Sequence, residues 1–370
     1  MSDPTSYVGS DSSIDRPDVP ALFEGARFFA PAVGTSNGTP LSTWLTELLD
    51  HNGPVPLWRV ETLPPETPCV ATCVIGSGSA LADLPPTGDE FELAVRQLER
   101  VHGHRFEAVY PLAAATVSAL APVAVASQLG VPLLDADGMG STFALIHHTA
   151  MHLNGVPPTP LVVLGPTGES VTIDVLVAPR ADRLLRAVVD TLGGWAALAA
   201  YPTTAGVLRH AALRGTVSRL LNVGRVLLQR SDPETLIARL SAITGSRRIG
   251  RARIAELEHL SRPTDGAVPA HPTSIVANEI GGQSRQFRIE LRSEIVAVFA
   301  DGVLTAGAPD LTTLVDVSRS ELVALDSIQI GDVVDILATH ADAMWYSPEG
   351  MQMVGLSSHN IPLAHPQQLG

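Results

Sequence analysis

The sequence predicts an α/β N-terminal domain built on a mainly parallel sheet, followed by a β-rich C-terminal domain. Three observations carry this expectation. In the first half, short apolar runs alternate with Gly- and Ser-containing loops and with helical segments, the rhythm of a parallel sheet. From about Ser246 the texture changes to β-like runs separated by turn residues. Hydrophobic residues make up 45% of the 370, enough for two substantial cores, but only 4% are aromatic, so the cores must rest on Ala, Val, Leu and Ile.

Taken in order, residues 1–20 are polar, lack the basic start and apolar core of a signal peptide, and read as a disordered tail. Residues 21–178 are expected to form the α/β domain. Residues 179–365 are expected to form the C-terminal domain, helical at first and then β-rich. Leu41–Leu49 reads as a helix, capped by Ser42 or Thr43. The loop before it contains Gly34, Thr35, Ser36 and Asn37, whose backbone N–H groups can cradle a polar ligand. The same residues also make a plain connecting loop, and they do not fit the dinucleotide fingerprint. Val55–Val60 and Cys69–Ile75 read as strands, and Asp89–Val101 as an amphipathic helix with Phe91, Val95 and Leu98 on one face. Phe106–Tyr110 reads as a strand, Ala113–Leu129 as a buried helix, and Val131–Leu134 as a further strand. Trp195–Tyr201 reads as a strand, followed by three helices. Asp301-Gly302 between apolar runs is a hairpin signal.

The stretch with the most chemistry is Asp135-Ala136-Asp137-Gly138-Met139-Gly140-Ser141. It lies where a buried strand ends and a helix, Thr142–Leu153, is expected to begin. In open α/β sheets that crevice is where ligands bind. Asp135 and Asp137 can orient a water, exchange a proton or hold a metal. Gly138 and Gly140 let the backbone approach a ligand, and Ser141 or Thr142 can cap the helix. An acidic turn that closes a strand and caps a helix uses the same residues. Just downstream, His148 and His152 fall one helical turn apart, a spacing that can hold a divalent metal such as zinc, although a hydrogen-bonded helix face explains it too.

Composition excludes several classes. A formal charge of −14 argues against nucleic acid or an anionic membrane as partner. All 24 basic side chains are Arg, which removes Schiff-base chemistry on a lysine and suits recognition of carboxylate or phosphate. Cys69 and Cys73 are the two cysteines. Four residues apart on a strand they sit roughly 13 Å from one another, too far to bridge, and they read as buried thiols. The most apolar stretch, Leu112–Leu134, is broken by Pro122 and Pro132, so no membrane span is expected. A cytoplasmic enzyme or binding protein is the expectation.

Beyond these readings the chain resembles the S-methyl-thiohydantoin desulfurase family, whose members are associated with hydantoinase/oxoprolinase proteins. The resemblance rests on Asp135–Gly140 with Gly130-Val131-Pro132 before it and Gly155-Val156-Pro157 after it. It continues through Asp89 to Glu99-Arg100, Gly193-Gly194, Tyr201-Pro202, Pro309-Asp310-Leu311 and Trp345-Tyr346-Ser347-Pro348-Glu349-Gly350, and covers roughly residues 25–365. It implies the same two-domain fold. It also implies hydrolysis of a C–S or C–N bond in a hydantoin-like or S-methyl-thiohydantoin-like small molecule by activated water. Asp135 and Asp137 would be catalytic, and Gly34, Thr35, Ser36, Asn37, Gly138, Met139, Gly140 and Ser141 would contact the substrate. A homo-oligomer or a hydantoinase/oxoprolinase-type partner fits the same resemblance. The chain departs from the family pattern at Leu112–Ser118, where the family carries a Glu, paired glycines and an Asn, and at Ser141–Leu145. These departures motivate the alternative of a catalytically degenerate subunit that binds a ligand or an active relative.

Overall fold

The computed structural model describes residues 12–30, 39–259, 272–292 and 294–366. They divide into two compact units. The first draws on Met1–Phe23, Ser36–Gly140 and Leu145–Leu221, and the second on Glu24–Thr35, Ser141–Ala144 and Asn222–Gly370.

The first unit opens with β1 (Ser12–Ile14) and α1 (Val19–Phe28), so residues 12–20 are structured rather than part of a tail. The reason is pairing: Ser12–Ile14 joins the next strand, and the Ile14 side chain is fully buried. Next come α2 (Thr39–Asn52), β2 (Val55–Trp58), β3 (Pro68–Gly76), α3 (Gly78–Asp83), α4 (Asp89–His102), β4 (Ala108–Pro111), α5 (Ala121–Leu129), β5 (Leu133–Leu134) and β6 (Ala136–Asp137). The expected helix over 113–129 is shorter, because a 3-10 turn precedes it and Pro122 sits in its first turn, where a missing N–H is harmless. The unit continues with α6 (Ala150–Leu153), β7 (Leu161–Leu164), β8 (Ser170–Ile173), α7 (Ala178–Thr191), β9 (Trp195–Thr204), α8 (Ala205–Ala211), β10 (Leu213–Arg214) and α9 (Thr216–Leu228).

Eight of these strands form one mixed sheet in the order β1-β2-β5-β4-β3-β9-β7-β8. Strands β2, β5, β4 and β3 are parallel neighbours, while β9 runs antiparallel to both β3 and β7. Because β9 completes this sheet, the first compact unit extends to Leu221. Few aromatics suffice, because three of them stack in series: Trp44 on α2 meets Phe91 on α4 at 5.8 Å, and Phe91 meets Trp195 on β9 at 6.4 Å. Cys69 and Cys73 are buried free thiols on β3, and burial pushes both up to about 12.

The second unit adds α10 (Pro233–Thr244), β11 (Arg247–Glu258), β12 (Ser274–Glu279), β13 (Gln286–Leu291), β14 (Ile295–Ala300), β15 (Val303–Gly307), β16 (Leu311–Asp316), β17 (Glu321–Leu322), β18 (Val333–Thr339) and α11 (Pro348–Val354). Its eight strands form an antiparallel sheet in the order β15-β14-β13-β12-β11-β18-β16-β17. The β14–β15 hairpin turns on Asp301 and Gly302, at φ 48° and 79°, the positive pair that a two-residue turn matching the strand twist requires. Alternation along β13 sends Phe287, Ile289 and Leu291 into a core with Ile254, Ile275 and Ile336. The end of α1, from Glu24 on, belongs to this unit, and Thr313 Oγ1 donates to the Phe28 carbonyl at 3.1 Å. No helix of the described residues is long and apolar enough to cross a membrane.

Phe287 is fully buried in the centre of the second core. Its replacement by Ala should lower unfolding stability by about 3–5 kcal/mol, read from the urea midpoint, with the m-value unchanged.

Candidate functional site

Strands β4 and β5 deliver two turns to the carboxyl end of the parallel strands, the place where ligands bind in open α/β sheets. One turn is Leu112–Ala115, and the other carries Asp135 and Asp137. They are joined through the backbone. Gly138 N–H donates to the Leu112 carbonyl at 3.0 Å, and the Gly138 carbonyl accepts from Ala150 N–H at 2.7 Å. A Cβ on residue 138 would lie 2.9 Å from the Leu112 oxygen, so only glycine permits this approach.

Asp137 is fully buried. Its carboxylate accepts from Ala114 N–H at 2.6 Å and from Gly140 N–H, 3.0 Å from each oxygen. Burial pushes its pKa up to about 6, although backbone hydrogen bonds from Ala114, Gly140 and Met139 and the nearby Arg219 charge oppose the rise. Arg219 on α9 also donates to the Gly140 carbonyl at 3.2 Å. Asp135 faces the other way. Its two oxygens accept from Ser218 N–H at 2.9 Å and Ser218 Oγ at 2.6 Å, and its carbonyl accepts from Gly215 N–H at 2.8 Å. It therefore satisfies orphan donors in the first turn of α9, where negative charge is favourable.

Several expectations change here. The N–H groups of Gly138 and Gly140 are committed to Leu112 and Asp137, so they do not point at a substrate. Met139 is buried. Ser141 and Thr142 do not cap a helix, because the helix expected over 142–153 is confined to α6 and its cap is Thr149, whose side chain accepts from His152 N–H. His148 therefore precedes the helix, and the one-turn relation with His152 is lost. The His147 ring stands against both, with centroids 4.9 Å from His148 and 5.7 Å from His152. Burial holds His147 and His152 below the usual imidazole range. Among the described residues no three His, Cys, Asp or Glu side chains gather in a way that could hold a metal. Gly34, Thr35, Ser36 and Asn37 lie outside the described residues.

The structure adds residues that sequence spacing did not single out as site residues. Arg219 and Ser218 reach the acidic turn from more than 75 positions away. A groove of about 880 Å³ opens at the opposite, amino ends of β3, β4 and β5, with Trp58, Leu63, Arg96, Arg105, Phe106 and Pro132 along it. In the second unit Asp310 is buried and its carboxylate is bonded by three side chains: Tyr346 OH and His340 Nδ1 (3.2 Å) on Oδ1, and His365 Nε2 (3.2 Å) on Oδ2. Burial works to raise its pKa, but these bonds hold it below the usual carboxylate range. The one sequence signal for this cluster was the pair of family segments that contain Asp310 and Tyr346.

Two measurements test the roles given to the acids. Asp135→Ala should destabilise the chain by about 1–3 kcal/mol, because it removes a charged acceptor from two donors, and Ser218→Ala should cost less because the backbone donor keeps its partner. For Asp137 the folded pKa is raised from 3.8 to about 6, so its favourable contribution is complete below the unfolded value and is lost as pH rises through about 6. That is a decline of about 3 kcal/mol between the two limits. The unfolding free energy of the wild type relative to Asp137→Asn should therefore fall by about 3 kcal/mol as pH rises from about 4 to about 7, and parallel curves would exclude the shift.

Comparison with known proteins bears on the whole chain. The family model described as S-Me-THD-like, N-terminal domain, matches residues 17–175, and that described as S-Me-THD-like, C-terminal domain, matches residues 178–365. Among curated proteins none matches. A solved crystal structure of a protein from Chromobacterium violaceum, a structural genomics target, is similar in fold, with a TM-score of 0.77 at 21% identity over 96% of this chain and 98% of that one. With both domain models matched in order across nearly all of its length, the chain belongs to the S-Me-THD-like family.

Proposed function

We propose that the chain is a hydrolase of a hydantoin-like or S-methyl-thiohydantoin-like small molecule, with Asp137 as the group that exchanges the proton of the attacking water. The observation that carries this reading is a carboxyl pushed up to about 6, at the carboxyl ends of parallel strands and beside the Arg219 cation. A group that titrates near neutrality serves as base in one step and acid in the next. Water would add to the ring carbon that carries sulfur or nitrogen, and its proton would pass to the Asp137 carboxylate. Collapse of the tetrahedral centre would break the C–S or C–N bond, and the departing sulfur or nitrogen would take the proton from Asp137. Asp135 has no part in bond making here: it positions α9 and with it Arg219. No step is assigned to His148, His152 or a metal. Two buried free thiols fit a reducing compartment, and we place the activity in the cytoplasm.

A second reading, a ligand-binding subunit or a partner of an active relative or hydantoinase/oxoprolinase-type protein, is favoured by one observation. Every oxygen of Asp135 and Asp137 already accepts an internal donor, and the facing turn presents Ala113, Ala114 and Ala115. The two readings separate on incubation of the purified chain with a substituted S-methyl-thiohydantoin and with the matching hydantoin. Thiol release or ring opening is expected, rising with pH through about 6 and abolished in Asp137→Asn. Calorimetric binding without product at any pH supports the second reading, and product formation undiminished in Asp137→Asn rejects the role of Asp137.

A further inference from the structure

Tyr201 on β9 is fully buried, has no step in the proposed reaction, and is bonded toward both sides of the Asp137 turn. On one side, Tyr110 OH donates to the Tyr201 carbonyl at 2.9 Å. Tyr110 stands one residue before the end of β4, and the turn that follows supplies Ala114 N–H to Asp137. On the other side, Tyr201 OH accepts from Thr149 Oγ1 at 2.9 Å and donates to the Ile146 carbonyl at 3.0 Å. The residue after Thr149 is Ala150, whose N–H donates to the Gly138 carbonyl at 2.7 Å. Gly138 is thus gripped by two segments, through its N–H by Leu112 and through its carbonyl by Ala150, and Tyr201 is bonded next to each.

The backbone holds this placement against a cost. Tyr201 has a φ of 50°, in the left-handed region that residues with bulky side chains rarely adopt. The same place is irregular in the β3–β9 pairing. Thr203 faces Cys69 and Ala200 faces Ala71, so Tyr201 and Pro202 together stand opposite Val70. An extra residue at such a bulge re-aims a side chain. Strained backbone persists only where its surroundings over-determine it. Here the bonds to Tyr110, Thr149 and Ile146 do so, with Tyr201 N–H donating to the Pro158 carbonyl at 3.2 Å. Burial raises both phenols above their ordinary range, so each keeps the proton that it donates.

We infer that Tyr201 is a positioning residue for Asp137: its carbonyl and its hydroxyl fix the separation of the two segments that hold Gly138, and so set where the Asp137 carboxylate lies. The inference rests on the reading of Asp137 as the group that exchanges the proton. It assigns the effect to the hydroxyl and not to the ring. A phenylalanine would fill the same volume, but it would leave the Ile146 carbonyl without its donor and the Thr149 hydroxyl without its acceptor. The 146–150 segment would then be held less firmly, and with it the bond from Ala150 to Gly138. Arg219, the charge that faces Asp137, is touched by neither tyrosine's hydrogen bonds.

The test follows the Asp137 carboxyl carbon by NMR through a pH titration of the full chain, with the signal assigned by its loss in Asp137→Asn. The wild-type midpoint should lie at about 6. In Tyr201→Phe a loosened turn admits water, so the midpoint should fall by about half a unit or more, with a smaller fall in Tyr110→Phe. Phe287→Ala, which lowers stability from the second unit, is the control and should leave the midpoint in place. With the S-methyl-thiohydantoin as substrate, Tyr201→Phe should lower kcat about tenfold and leave KM nearly unchanged. Absence of turnover in the wild type rejects the hydrolase reading, and the titration then decides on Tyr201 alone. Should Tyr201→Phe fail to fold, the fall in Tyr110→Phe decides. A midpoint that does not fall in the tyrosine variants, or that falls equally in Phe287→Ala, overturns the inference.

Discussion

A carboxylate taken wholly out of water must be matched by donors, and Asp137 obtains them from two separate turns. Ala114 belongs to the turn after β4 and Gly140 to the turn after β6, so one side chain holds two strand ends together. The Gly138-to-Leu112 hydrogen bond repeats that connection through the backbone, and Asp135 extends it to α9 through Ser218. Removal of any of these partners leaves a buried polar group in an apolar surround, and a Cβ at 138 would collide with the Leu112 oxygen, which holds that position to glycine. The architecture of the crevice follows from this one requirement.

The same constraint explains the double character of the acidic turn. Hydrogen bonds from backbone N–H groups stabilise the ionised form of Asp137, and burial opposes them more strongly. The balance leaves a group that titrates near neutrality instead of one fixed in either state, which is what proton exchange demands. Asp135, less completely enclosed and matched by a hydroxyl and an N–H of one residue, is a structural cap. Two acids of the same type, two positions apart, thus differ in burial and in hydrogen-bond partners because of their surroundings alone.

In the second unit, polar chemistry is assembled on the opposite plan. Asp310, His340, Tyr346 and His365 come from separated parts of the sequence. Asp310 is enclosed by side-chain partners, not backbone ones, and lies within reach of a half-exposed imidazole. The first unit encloses its acid in backbone donors, while the second holds Asp310 with side-chain donors.

Hydrophobic periodicity and turn chemistry are local, and they made the two fold classes, the amphipathic α4, the buried thiols on β3 and the Asp301-Gly302 hairpin legible in the sequence. The position of Asp135 and Asp137 at a strand's carboxyl end was legible for the same reason. Helix length around His148 was not, because Thr149 caps a helix of one turn where apolar spacing alone suggested three. Nor was the place of β9, which reads as a strand anywhere and is assigned only by its docking between β3 and β7. What the sequence by itself determined was which segments are apolar, where they turn and which family they resemble. Only the tertiary structure decided which donors each acid meets, because Ser218, Arg219 and His340 reach their partners across separations that no local pattern encodes.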